Sequence, residues 1–148
     1  MLLPQPDDPV FKTLQTALKP LGLALVDVAV RSKNGTTKAS VTVFDANGLS
    51  IETCAQAHRM IVPLLENQLQ TEDLYVEVGS PGLERNLKYA FELELFRSRP
   101  VKILVEGASE WLEGILEKVD SSQLELRTGE ELKEIRLADL VKARLNDL

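Results

Sequence analysis

"YVEVGSPGLERNL", residues 75–87, decides the fold. Together with Leu74, its first part alternates, with Val76 and Val78 apolar between Tyr75 and Glu77, the pattern of a half-buried strand. The strand runs into Gly79-Ser80-Pro81-Gly82 and then directly into Leu83 and the charged pair Glu84, Arg85. Two uses fit such a stop. One is a ligand loop, in which glycines admit a phosphate and Ser80 supplies a hydroxyl. The other is an architectural joint: Pro81 fixes one backbone angle, Gly79 and Gly82 are expected to take angles closed to other residues, and the chain is redirected with Arg85 held in place.

Working toward the N-terminus, the period changes twice. Residues 50–69 carry Ile51, Cys54, His58, Ile61, Leu65 and Leu69 at helical spacing, with Ser50 placed to cap the helix, Glu52 near its positive end and Pro63 inside it. Residues 24–31 and 38–45 alternate, with Val26, Val28 and Val30 on one face of the first run and Ala39, Val41 and Val43 on one face of the second. Lys33-Asn34-Gly35-Thr36 lies between them, and Asn-Gly is a strong hairpin signal because both residues tolerate positive φ. A first helix over residues 9–21 follows from Val10, Leu14, Ala17, Leu18 and Leu21, stopped by Gly22. The order is α-β-β-α-β, two helices covering one face of a three-stranded sheet.

Toward the C-terminus, Leu87, Phe91, Leu95 and Phe96 predict a short linker helix, and the composition then shifts at Arg97-Ser98-Arg99-Pro100. A domain boundary is expected there, giving an N-terminal α/β domain over 1–97 and a C-terminal domain over 98–148. Five strands are predicted in the latter, at 101–105, 111–119, 123–127, 133–137 and 141–145. Gly107, Asp120-Ser121-Ser122 and Thr128-Gly129 mark turns, and residues 138–140 a single helical turn. That arrangement reads as a small all-β SH3-like or Sm-like barrel, so the whole chain is α+β.

The chain has 148 residues, 44% apolar and 27% charged, within the range of one domain or two small ones. No apolar run is long enough to span a membrane, and MLLPQPDDPVFK at the start has none of the pattern of a signal peptide. With a single cysteine, Cys54, these features set the expectation of a cytoplasmic monomer without membrane contact. The net charge of −6 argues against binding nucleic acid through bulk electrostatics. Two windows reverse the sign locally. Residues 31–38 carry Arg31, Lys33 and Lys38 with no acid, and residues 85–102 carry Arg85, Lys88, Arg97, Arg99 and Lys102 against Glu92 and Glu94. Each is a candidate partner-binding or RNA-binding surface.

Catalytic constellations fit poorly. A phosphate loop needs a Gly-Lys-Ser/Thr ending, and neither Gly79 nor Gly82 is followed by lysine. A serine nucleophile elbow needs Gly-x-Ser-x-Gly, whereas Gly79 abuts Ser80 and the only histidine, His58, lies on a helix stripe. Cys54 and His58 are one helical turn apart, but a structural zinc needs four ligands and there is no other Cys or His. Glu92 with Glu94, and Glu130 with Glu131, read as solvated carboxylates. No catalytic residue, metal or cofactor is expected.

The motif at 75–87 resembles that of the ribosome maturation factor RimP family, whose strand leads into Ser-Ser-Pro-Gly-Leu-Asp-Arg-Pro-Leu. Ser80, Pro81, Gly82, Leu83, Arg85 and Leu87 match, while Gly79, Glu84 and Asn86 depart from it. "LGLALVDVAV" (21–30), "ETCAQAHR" (52–59) and "LVKARL" (140–145) resemble further family segments; Leu93, Leu95 and Ser98 stand where the family has Phe, Arg and Gly. The resemblance implies an α/β domain followed by an SH3-like barrel. It also implies a non-enzymatic factor that docks on the immature small ribosomal subunit, with ribosomal RNA and the ribosomal protein of the decoding region as partners. The alternative is a general RNA-binding module that uses an Sm-like barrel on single-stranded RNA, with Trp111 and Tyr75 as stacking platforms.

Overall fold

In the computed structural model, which describes residues 2–147, Asp8 opens the first helix: its carboxylate accepts the Val10 amide at 2.7 Å, and Pro9 occupies the first helical position. This helix, α1 (Pro9–Leu18), buries Phe11, Leu14 and Leu18. It ends earlier than its apolar spacing suggests. Pro20 has no amide to continue the α-helical ladder, so Lys19–Leu21 tighten into a 3-10 turn closed by Gly22 at φ 74°.

Strands β1 (Ala24–Lys33) and β2 (Thr36–Phe44) pair antiparallel around Asn34 and Gly35, both at positive φ as a two-residue hairpin requires. The alternation expected for β1 is broken by a bulge. Leu25 pairs with Val43 and Asp27 with Thr42, so Val26 is an extra residue; Leu25 and Val26 are both buried, and Val30, near the tip, is 40% exposed. Helix α2 (Ile51–Leu69) is capped by Ser50, whose hydroxyl accepts the Thr53 amide at 3.0 Å. Its buried stripe is Ala57, Ile61 and Leu65, with Pro63 on the exposed side; Ile51, expected on that stripe, is 91% exposed. The chain then returns as β3 (Leu74–Gly79), parallel to β2, completing a sheet of order β1-β2-β3. α1 lies against β1 and α2, and α2 against β3, which places both helices over the face carrying Leu25, Ala39, Val41, Val43 and Val76.

The second unit is antiparallel. β4 (Pro100–Val105), β5 (Leu112–Val119), β6 (Gln123–Thr128) and β7 (Glu131–Arg136) form a meander, a 3-10 turn covers Leu137–Asp139, and β8 (Leu140–Leu145) returns beside β4. The order β7-β6-β5-β4-β8 is the SH3-like layout expected from the turn residues. Asp120 builds the β5–β6 turn, accepting from the amides of Ser122 and Gln123 at 2.7 and 2.8 Å, and these bonds hold its carboxyl below the usual range. Gly114 in β5, not singled out by sequence, is required by packing, since a Cβ there would run into the Arg127 carbonyl oxygen.

Two compact units result, Pro6–Pro81 and a second comprising the residues up to Gln5 with those from Gly82 onward. The segment 82–97, assigned by sequence to the N-terminal domain, therefore groups with the second unit. Its backbone explains why: Leu87 donates to Ala143 at 2.8 Å and receives company from Arg85, which accepts from Leu145 at 2.9 Å, so the segment lies along β8. Leu87, Leu93 and Phe96 are buried, and the short helix α3 (Phe91–Leu95) touches β5. Met1 and Leu148, the outer limits of the two expected domains, lie outside the described residues. No helix among the described residues is long and apolar enough to cross a membrane.

Candidate functional site

The charged pair after Gly82 organises its surroundings. Arg85 grips Glu92 with its planar fork, Nε to Oε1 at 2.7 Å and Nη2 to Oε2 at 3.1 Å, and the same carboxylate accepts the amides of Lys88 and Tyr89 at 2.8 and 2.9 Å. These two amides precede α3 and have no helical partner of their own, so Glu92 reaches back to them as a capping carboxylate does. Glu92 has no exposed surface and Arg85 retains 15%. The reading of Glu92 as solvated is therefore corrected: only Glu94, its neighbour two residues on, is open to solvent. A buried carboxylate is tolerated here because one cation and two amides replace its water shell.

The remaining cations of 85–102 are also engaged. Lys88 stands 5.2 Å from the centre of the Tyr89 ring, Arg97 pairs with Glu94 at 3.2 Å, Arg99 with Asp147 at 3.8 Å and Lys102 with Glu113 at 3.3 Å. Arg144, which sequence did not single out, lies 5.5 Å over the Trp111 ring and 3.7 Å from Glu84. It thus takes up one face of the aromatic that the single-stranded RNA alternative needs in the barrel. No charge count would have found it, because its role depends on β8 lying next to β4.

Window 31–38 differs. The strand register sets Arg31 opposite Lys38 at the hairpin end, and both are exposed. Lys38 reaches Glu77 at 3.5 Å and lies 5.9 Å from the Tyr75 ring centre, whereas Arg31 and Lys33 form no ion pair with a described residue.

Cys54 and His58 have structural partners. The thiol donates to the Val78 carbonyl at 3.2 Å and His58 Nε2 lies 3.0 Å from the Val76 carbonyl, which requires the ring to carry its proton on that nitrogen. Both satisfy carbonyls of β3, the outer strand of its sheet. No group of three or more metal-ligating side chains occurs among the described residues. Cys54 and His58 line an open groove of about 500 Å³ with Ile51, Val78 and Ser80, but His58 Nε2 is directed at the Val76 carbonyl and not at Ser80.

The motif glycines depart from expectation. Neither Gly79 nor Gly82 has positive φ, and a Cβ at either would meet nothing within 4 Å. The left-handed residue near the junction is instead Ser98, at φ 73°. The resembled family has glycine at this position, the residue that takes such a backbone angle without steric cost, whereas this chain holds it with serine.

Fold and site together define the class: a two-unit α+β protein, an α-β-β-α-β unit followed by a five-stranded SH3-like sheet, with a Ser-Pro-Gly-Leu motif at their division. Residues 13–84 match the model of the RimP N-terminal domain. Along nearly its whole length the chain is similar to proteins called ribosome maturation factor RimP. It is 24% identical over 139 residues to that of Borrelia turicatae (strain 91E135), covering 93% of this chain and 94% of the relative, and 25% identical over 138 residues to that of Borreliella afzelii (strain PKo), covering 92% of each. These similarities support membership of the RimP family of ribosome maturation factors.

Proposed function

We propose that this protein is a non-enzymatic ribosome assembly factor that binds the immature small ribosomal subunit in the cytoplasm as a monomer. The observation that carries the reading is the similarity to ribosome maturation factors over more than nine-tenths of the chain. The side-chain chemistry supports it: the conspicuous buried carboxylate is saturated by Arg85 and two amides, and the Cys54–His58 pair is spent on β3 carbonyls, so neither cluster offers a reacting group. An acidic protein with cations confined to short windows attracts a basic ribosomal protein while touching RNA lightly enough to leave.

The test is co-sedimentation of the protein with immature small subunits, mature small subunits and whole ribosomes at moderate salt. Retention on the immature subunit alone is the expected result. Equal retention by any RNA points to a general RNA-binding module, and no retention overturns the small-subunit reading.

A further inference from the structure

Residues that point away from α1 and α2 form the outer face of the β1-β2-β3 sheet. The register lines them up in rows: Arg31, Lys38 and Tyr75 in one, Ala29, Ser40 and Glu77 in the next, then Asp27, Thr42 and Gly79. Ala29, Ser40, Thr42 and Gly79 are small, so this part of the face is flat, and Tyr75 stands at its edge with 57% of its surface exposed. A large aromatic left in water on a sheet is informative, because burying it in the core would have contributed to stability. Its described ring contact is Lys38, at 5.9 Å.

The charges on this face are divided by strand. β3 carries Glu77, engaged by Lys38 at 3.5 Å, and the residue before β3, Asp73, accepts from the Thr36 hydroxyl at 3.4 Å. Arg31 and Lys33 on β1 have no such partner among the described residues. The cations without an ion pair among the described residues, Arg31 and Lys33, lie two strands from Tyr75, about 10 Å across the sheet.

An exposed aromatic beside unpaired cations on a flat surface matches the chemistry of a single-stranded polynucleotide, whose bases stack and whose phosphates need neutralising. We propose that the outer face of β1-β2-β3 binds single-stranded RNA, with one unpaired base stacked on Tyr75 and neighbouring phosphates on Arg31 and Lys33. This deepens the assembly-factor reading and rests on it: an immature subunit exposes unpaired RNA strands. A basic protein is the poorer occupant, since it would meet cations with cations at Arg31 and Lys33.

The experiment titrates a fluorescein-labelled, unstructured RNA octamer with the full chain by anisotropy at low salt, for the wild type, Tyr75→Ala, Tyr75→Phe and the double variant Arg31→Gln/Lys33→Gln, with melting curves as folding controls. Sedimentation with immature subunits is run in parallel. Tyr75→Ala is expected to weaken binding about tenfold and Tyr75→Phe to stay within about twofold of the wild type. The double variant is expected to weaken binding and reduce its salt dependence by about two phosphate contacts. A duplex of the same sequence is expected to compete poorly. The proposal is overturned if the wild type does not bind the octamer, if Tyr75→Ala binds like the wild type, or if the duplex competes equally. Loss of subunit retention by Tyr75→Ala without any octamer binding also overturns it, and assigns the face to a protein partner. Tyr75-dependent binding of the octamer with no subunit retention supports the proposal and counts against the small-subunit reading alone.

Discussion

Windows 31–38 and 85–102 carry the same excess of three positive charges, yet the folded protein uses them in opposite ways. At the junction, Arg85, Arg97, Arg99 and Lys102 each have a carboxylate within 4 Å, and one of those carboxylates is completely buried. At the hairpin, among the described residues, Lys38 alone is paired and Arg31 and Lys33 are exposed. The difference lies in what the fold brings alongside. The 85–102 segment is folded against Glu113 of β5 and Asp147 just past the end of β8, whereas a hairpin tip projects beyond its own sheet and meets few neighbours. Availability for a partner is thus set by intramolecular carboxylates, and a charge count cannot reveal it.

The two windows differ most at Glu92. Replacement by alanine takes from Arg85, in a site that is mostly buried, the carboxylate its fork grips and removes the acceptor of two amides, so Glu92→Ala is expected to cost about 3–5 kcal/mol in urea denaturation. A loss below about 1 kcal/mol, the level of an exposed ion pair, would mean that the junction is no more built than the hairpin.

Charge reversal separates the two windows on two axes. Arg97→Glu/Arg99→Glu/Lys102→Glu exchanges three attractions for repulsions at partly exposed sites and is expected to cost about 1–2 kcal/mol in total. Arg31→Glu/Lys33→Glu is expected to stay within about 0.5 kcal/mol of the wild type while weakening retention on immature subunits. If the hairpin pair changes stability and leaves retention intact, the roles assigned to the two windows are reversed.

Much of the architecture was legible because the hydrophobic period switches cleanly between 3.6 and 2, and because Asn34-Gly35, Gly107, Asp120 and Gly129 mark turns whose backbone needs those residues. The bulge at Val26 was not, since an inserted residue leaves composition untouched and only the register exposes it. Nor was the burial of Glu92. Glu92 and Glu94 look alike on a five-residue helix, and it takes the packing of that helix to decide which one turns inward. Gly114 stayed hidden for a similar reason, because its neighbour is a backbone oxygen thirteen residues away. The position of Ser98 had a signal, the glycine of the resembled family, although sequence could not say that the requirement was a positive φ.

That position supplies the smallest effect and the sharpest view of the junction. An L-residue in the left-handed region loses about 1–2 kcal/mol, and glycine escapes this while adding some disorder to the unfolded chain. Ser98→Gly is therefore expected to raise stability by about 0.5–1 kcal/mol in urea denaturation. The backbone at Ser98 is pinned, its amide donating to the Leu116 carbonyl at 2.6 Å, so the strained φ cannot relax without breaking that bond. Gly82→Val is the matching control, with neither positive φ nor a steric neighbour, and is expected to stay within about 0.5 kcal/mol. If Ser98→Gly is neutral and Gly82→Val destabilises, the backbone constraint lies in the Ser-Pro-Gly-Leu motif. The opposite pattern places it where the 82–97 segment enters β4, and makes the junction the part of the chain whose conformation is enforced at a residue ill suited to it.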